Sequence, residues 1–92
     1  IESQPEILFE YKHLTKAQEK VALKVKFNSA VLYLEQKQFK KAILLFKQTA
    51  KLIKIPSFLN IGIAYYKLKS QNNAYLYLKK IYDLKEAAYQ DP

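Results

Sequence analysis

Phe58-Leu59-Asn60-Ile61-Gly62-Ile63-Ala64-Tyr65-Tyr66 carries apolar or small side chains nearly all the way round a helix. A helix of that kind must be buried on more than one face. Leu59, Ile63 and Tyr66 fall at i, i+4 and i+7, so they form one continuous ridge. Just upstream, Lys54-Ile55-Pro56-Ser57 is the clearest punctuation in the chain. Proline disfavours helix in the residue before it and can open the next helix, which predicts a helix from Ser57 to about Leu68.

Moving outward, the same pattern recurs thirty-two residues earlier. Phe27-Asn28-x-Ala30 falls on Leu59-Asn60-x-Gly62, Tyr33 on Tyr65, Lys37 on Lys69, Ala42 on Ala74, Phe46 on Leu78 and Leu52 on Leu84. Apolar, small, aromatic and polar classes match in order, the sign of an internal structural repeat. The spacing has a physical sense. Small Ala30 and Gly62 let the first helix of each unit approach the second, Ala42 and Ala74 do the same from the opposite side, and Tyr33 and Tyr65 fill the angle between. Asn28 and Asn60 sit at matching places and are read as structural.

The second copy reads Phe58-x2-Ile61-Gly62-x2-Tyr65, then Ala74-x3-Leu78; the first reads Lys26-x2-Ser29-Ala30-x2-Tyr33, then Ala42-x3-Phe46, closed by Pro56. Both resemble the tetratricopeptide repeat (TPR) family, whose pattern is Trp-x2-Leu-Gly-x2-Tyr, Ala-x3-Phe and Pro. The resemblance covers roughly residues 23–86. It implies an all-α fold of antiparallel helix-turn-helix repeats stacked as a TPR-like right-handed superhelix. Three features depart from the family. The period is two residues short of the usual thirty-four, Lys26 stands where the large aromatic belongs, and Lys37 and Lys69 replace the glycine that usually turns each hairpin.

Elsewhere the spacing predicts helix from Leu23 to about Gln36, from about Phe39 to Lys54, and from about Asn72 to Tyr89, with a turn and a cap at Ser70. Ser3-Gln4-Pro5-Glu6 is a reasonable helix start, and Ile7, Tyr11 and Leu14 follow on one face. Thr15 with Gln18 could cap a second helix, so whether residues 5–37 form one helix or two stays open. The expected organisation is a single domain: 1–22 as an N-terminal capping helix or partial repeat, 23–54 as repeat 1, and 55–92 as repeat 2 with an extended last helix. Ile1 and the lack of Met suggest a piece of a longer protein.

Composition excludes most chemistry. There is no Cys, His13 is the only His, and a single Gly leaves no phosphate-cradling loop. No catalytic residue, metal site or cofactor is therefore expected, and the chain is read as not an enzyme. The longest uncharged run, Ile55 to Tyr66, is too short to cross a bilayer, so a soluble fragment is expected, in a bacterial cytoplasm or periplasm. Net charge is +8, and all sixteen basic residues are Lys. Base-edge and phosphate recognition favours Arg's planar fork, so nucleic acid is a poor partner.

The resemblance places a concave groove along the first helices of the repeats, lined by Phe27, Val31, Leu34, Leu59, Ile63 and Tyr66. Phe27 and Val31 stand where chaperone-binding members carry polar clamp residues, so an apolar partner segment is implied. The N-terminal helix or missing repeats could fill that groove instead. Lys40, Lys47, Lys51 and Lys54 fall on one face of the predicted second helix and form a basic surface. The expected function is a non-catalytic protein–protein scaffold or adaptor within a larger bacterial assembly. Self-association through exposed repeat ends is a further option. The alternative is a basic module docking on an anionic membrane or nucleic acid through the Lys stripe.

Overall fold

The computed structural model describes residues 14–90. It holds four helices, α1 (Lys16–Glu35), α2 (Phe39–Thr49), α3 (Lys54–Lys67) and α4 (Gln71–Gln90), and no strand among the described residues. The expectations for Ile7, Tyr11, His13 and the rest of residues 1–13 lie outside the described residues. α1 begins at a capping box: the Gln18 backbone N–H donates to Thr15 Oγ1 (3.2 Å), and the Thr15 N–H donates to Gln18 Oε1 (2.9 Å). Two orphan donors of the first turn are thereby satisfied, which fixes the helix start at Lys16. No helix among the described residues is long and apolar enough to cross a membrane.

α1 packs on α2 and α3 on α4, giving two helical hairpins; α2 packs on α3, and α1 also touches α3. The two hairpin turns are copies of one another. Lys37 (φ 64°) and Lys69 (φ 66°) are both left-handed. The Gln38 N–H donates to Tyr33 O at 2.8 Å and the Ser70 N–H to Tyr65 O at 2.9 Å; Lys37 N–H reaches Leu34 O and Lys69 N–H reaches Tyr66 O. Each turn is thus a Schellman motif, in which a single left-handed residue lets two otherwise orphaned carbonyls be satisfied. The lysines do by force what glycine does freely, at roughly 1–2 kcal/mol of strain per residue.

Inside the hairpins, small residues set the approach distance. Ala30 and Ala42 are fully buried, and Ala74 nearly so. Gly62 is buried too, and a Cβ added there would meet Leu78 Cδ2 at 3.4 Å. Around them Phe46, Ile43, Ile61 and Ala64 form the core, with Phe27, Tyr33, Phe58 and Tyr65 packed against it. Lys26, the departure from the aromatic pattern, finds its own solution. Its Nζ donates to Gln48 Oε1 at 2.8 Å, joining α1 to α2. The corresponding pair in the second hairpin is Phe58 and Lys80, where Nζ lies 5.9 Å from the ring centroid. One position pair joins each hairpin, by a hydrogen bond in one and a cation–π contact in the other.

The joint between hairpins differs from the sequence expectation. α2 ends at Thr49, short of Lys54, and α3 opens at Lys54 with Pro56 in its first turn. Thr49 and Ser57, both fully buried, place their hydroxyl oxygens 2.7 Å apart, and Thr49 Oγ1 also lies 3.0 Å from Phe46 O. Thr49 has one hydroxyl proton; donating it to Phe46 O leaves Ser57 as donor to Thr49. Thr49 O accepts from the N–H groups of Leu52 and Ile53, turning the chain. Pro56 is tolerated where it falls because the first helical N–H groups have no partner in any case.

Two stability tests follow from these contacts. Lys37→Gly and Lys69→Gly should each raise unfolding free energy in urea by about 1 kcal/mol, the strain relieved less the added chain entropy; a loss in both would mean the turns are not left-handed. Thr49→Val strands a buried Ser57 hydroxyl and should cost about 1–3 kcal/mol. Ser57→Ala leaves Thr49 still donating to Phe46 O and should cost less. Equal losses, or the reverse order, would contradict the proton assignment.

Candidate functional site

The two apolar ridges are placed differently. Phe27, Val31 and Leu34 on α1 are half-buried and packed against the core. The Phe27 ring meets Phe46 edge-on, with centroids 5.2 Å apart, so much of that side chain holds α1 to α2. Leu59, Ile63 and Tyr66 on α3 are exposed. The residues therefore split into a supporting ridge and an accessible one, carried on helices that touch each other. A large apolar side chain left in water forgoes its burial energy, so an exposed ridge three residues long is a natural place for another apolar surface.

Asn60 belongs to the scaffold: its side-chain amide donates to Pro56 O at 2.9 Å, back along its own helix. This stiffens the first turn of α3, where Pro56 has removed a backbone donor. Asn28, its counterpart on α1, is exposed.

The basic stripe does not survive as a single helix face. Lys40 and Lys47 lie on α2, Lys51 in the turn after it, and Lys54 is the first residue of α3. The cause is the early end of α2 at Thr49, which breaks the periodicity that would have aligned the four. All four remain exposed. Lys40 and Lys47 border a groove of about 320 Å³ with Ile43, Leu44, Tyr65 and Leu68, and Lys47 Nζ stands 6.0 Å from the Tyr65 ring centroid. Lys51 borders a different groove with Leu14, Glu19, Ala22, Leu23 and Lys26.

Two further apolar surfaces lie on other helices, where helical spacing marks a face but not whether it is covered. On α1, Val21, Val25 and Leu32 are exposed, and on α4 so are Tyr75, Leu78 and Tyr82. Beside the first set runs a trough of about 480 Å³ lined by Ala22, Val25, Lys26, Ser29, Tyr33 and Leu45. Among the described residues, no three His, Cys, Asp or Glu side chains gather where one metal ion could bind them. Compared with known proteins, the chain matches no family model, no curated protein and no solved structure.

The split between the ridges can be measured. Ile63→Asp, at a site 37% exposed, should cost about 1 kcal/mol, less than a core substitution. Phe27→Ala should cost about 2 kcal/mol or more through lost packing on Phe46. Urea titrations of both variants check this, and a severe loss on Ile63→Asp would show the α3 ridge to be core.

Proposed function

We propose that this chain is a non-catalytic protein-interaction scaffold, a TPR-like stretch of stacked helical hairpins that holds an apolar segment of a partner along α3. The observation that carries the reading is the exposure of Leu59, Ile63 and Tyr66 in continuous register on a helix whose opposite face is fixed in the core. A rigid ridge presents its side chains with little further entropy to lose, which favours binding of an amphipathic helix or an extended apolar segment. Support for repeated, stacked hairpins comes from the matched turns at Lys37 and Lys69 and from the α1–α3 contact, which sets like helices of successive hairpins side by side. Partitioning of the four lysines among α2, the turn and α3 disfavours the rival, a basic module that docks on anionic lipid or nucleic acid.

A test separates the two. A panel of apolar amphipathic peptides, anionic vesicles and a DNA duplex would be titrated against the chain at low and high salt. The scaffold reading expects peptide binding that persists in high salt and falls at least roughly tenfold with Leu59→Asp or Ile63→Asp. Lys47→Glu with Lys51→Glu should alter the association rate more than the final affinity. Binding confined to vesicles or DNA, falling steeply with salt and abolished by the charge reversal, would establish the rival instead.

A further inference from the structure

The joint between the two hairpins is a template for a joint between two copies of the chain. At the internal joint α3 brings Ser57 and Ala64 against α2, and both are completely buried; Ile43 on α2 and Ala50, its C-cap residue, are buried as well. Among the described residues, their counterparts thirty-two residues away have no such cover. Val25, the counterpart of Ser57, is 59% exposed; Leu32, of Ala64, 57%; Tyr75, of Ile43, 66%; and Tyr82, of Ala50, 55%. One face of α1 therefore repeats the face with which α3 docks, and one face of α4 repeats the face on which it is received.

We propose that a second copy of this chain occupies these faces, head to tail, with α4 of one copy lying on α1 of the next as α2 lies on α3. The joint's contacts carry over only in part. Lys79 and Tyr33 stand where Lys47 and Tyr65 do, but Lys79 pairs with Asp83 Oδ2 at 3.2 Å and Lys41 Nζ lies 5.5 Å from the Tyr33 ring centroid, so docking does not depend on that cation–π pair. The Thr49–Ser57 hydroxyl pair becomes Ile81 against Val25, two apolar side chains that need no hydrogen bond. Bulk is both redistributed and added: the gains at Val25, Leu32, Tyr75, Ile81 and Tyr82 exceed the losses at Ser29 and Leu78. Phe46 is replaced by Leu78 and Ile61 by Ser29, while Ala50 is replaced by Tyr82 and Ala64 by Leu32. Ser29 in place of Ile61 is what leaves the trough beside Val25 and Tyr33 open, and the second copy brings the larger Tyr82 toward it. The added side chains hold α4 and α1 further apart than α2 and α3, and the open trough takes up part of the bulk.

The two faces differ from each other, so the contact is heterologous and does not close on itself in a pair. It uses α1 and α4 and does not depend on what the α3 ridge binds.

Sedimentation velocity of the 92-residue chain over a concentration series tests the proposal. The mean mass should climb past that of a dimer as concentration rises, and should not fall in high salt. Val25→Asp and Tyr82→Asp should each weaken self-association roughly tenfold or more, with helicity by circular dichroism unchanged; Leu32→Glu serves if Val25→Asp disturbs folding. The mixture of Val25→Asp and Tyr82→Asp chains is decisive. Each retains the face the other has lost, so together they should form a one-to-one dimer and stop there. Three results would each overturn the proposal: a monomer at every concentration, which would point to cover of the α1 face from within the chain; self-association untouched by either change; or variants that remain monomeric when mixed.

Discussion

Two hydroxyl oxygens 2.7 Å apart, on Thr49 and Ser57, fix how one hairpin sits on the other. Neither is exposed, so the pair has no water to fall back on. Burying a hydroxyl without a partner costs roughly 1–3 kcal/mol, and an arrangement that slid the hairpins along each other would incur that cost. Phe46, Ile61 and Ala64 pack in one apolar cluster across the hairpins, but apolar contact is tolerant of sliding. The hydroxyl pair makes the register specific. It also consumes the end of α2, because Thr49 directs its proton back to Phe46 O while its carbonyl takes the N–H groups of Leu52 and Ile53.

The turns inside the hairpins obey a different economy. A left-handed lysine is strained by roughly 1–2 kcal/mol, and the Schellman hydrogen bonds offset this with a net contribution of about 0.5–1.5 kcal/mol each. With two such bonds per turn the balance is close to even. The hairpins are therefore held by what lies between their helices rather than by their turns. That is consistent with the small residues Ala30, Ala42, Gly62 and Ala74 at the crossings and with the paired positions of Lys26 with Gln48 and Phe58 with Lys80.

Much of this was legible in the sequence. The thirty-two-residue offset located both turns, because equal spacing from Tyr to Ala in the two copies demands equal connections, and Thr15 with Gln18 carried a recognisable cap. The joint was not legible. Helix propensity continues smoothly past Thr49 toward Lys54, and nothing local announces that the hydroxyl of Thr49 meets a serine eight residues on, beyond a proline. From that single omission came the misplaced end of α2, the late start assigned to α3 and the apparent alignment of Lys40, Lys47, Lys51 and Lys54. The ridges show the same limit in another form. Leu34 and Tyr66 occupy equivalent positions, yet Leu34 packs against the core while Tyr66 is 64% exposed. Exposure depends on which helix comes next, and that is a property of the stack, not of the residue.

The outward faces of α1 and α4 differ in chemistry from the joint whose positions they repeat. A face meant for water needs polar residues where a covered one has apolar ones. Here the substitutions run the other way: Ser57 gives way to Val25, Thr49 to Ile81, and Ala64 to Leu32. The polar pair is kept where it is buried and satisfied, and is replaced by hydrocarbon where it would stand uncovered. Hydroxyls on those faces would have been harmless in solvent and costly under a mismatched partner, whereas apolar side chains are unfavourable in solvent and tolerant of an approximate fit. The outward faces of α1 and α4 are apolar and exposed, and so is the α3 ridge. Binding along the ridge and contact through those faces draw on different residues, so one chain can carry both.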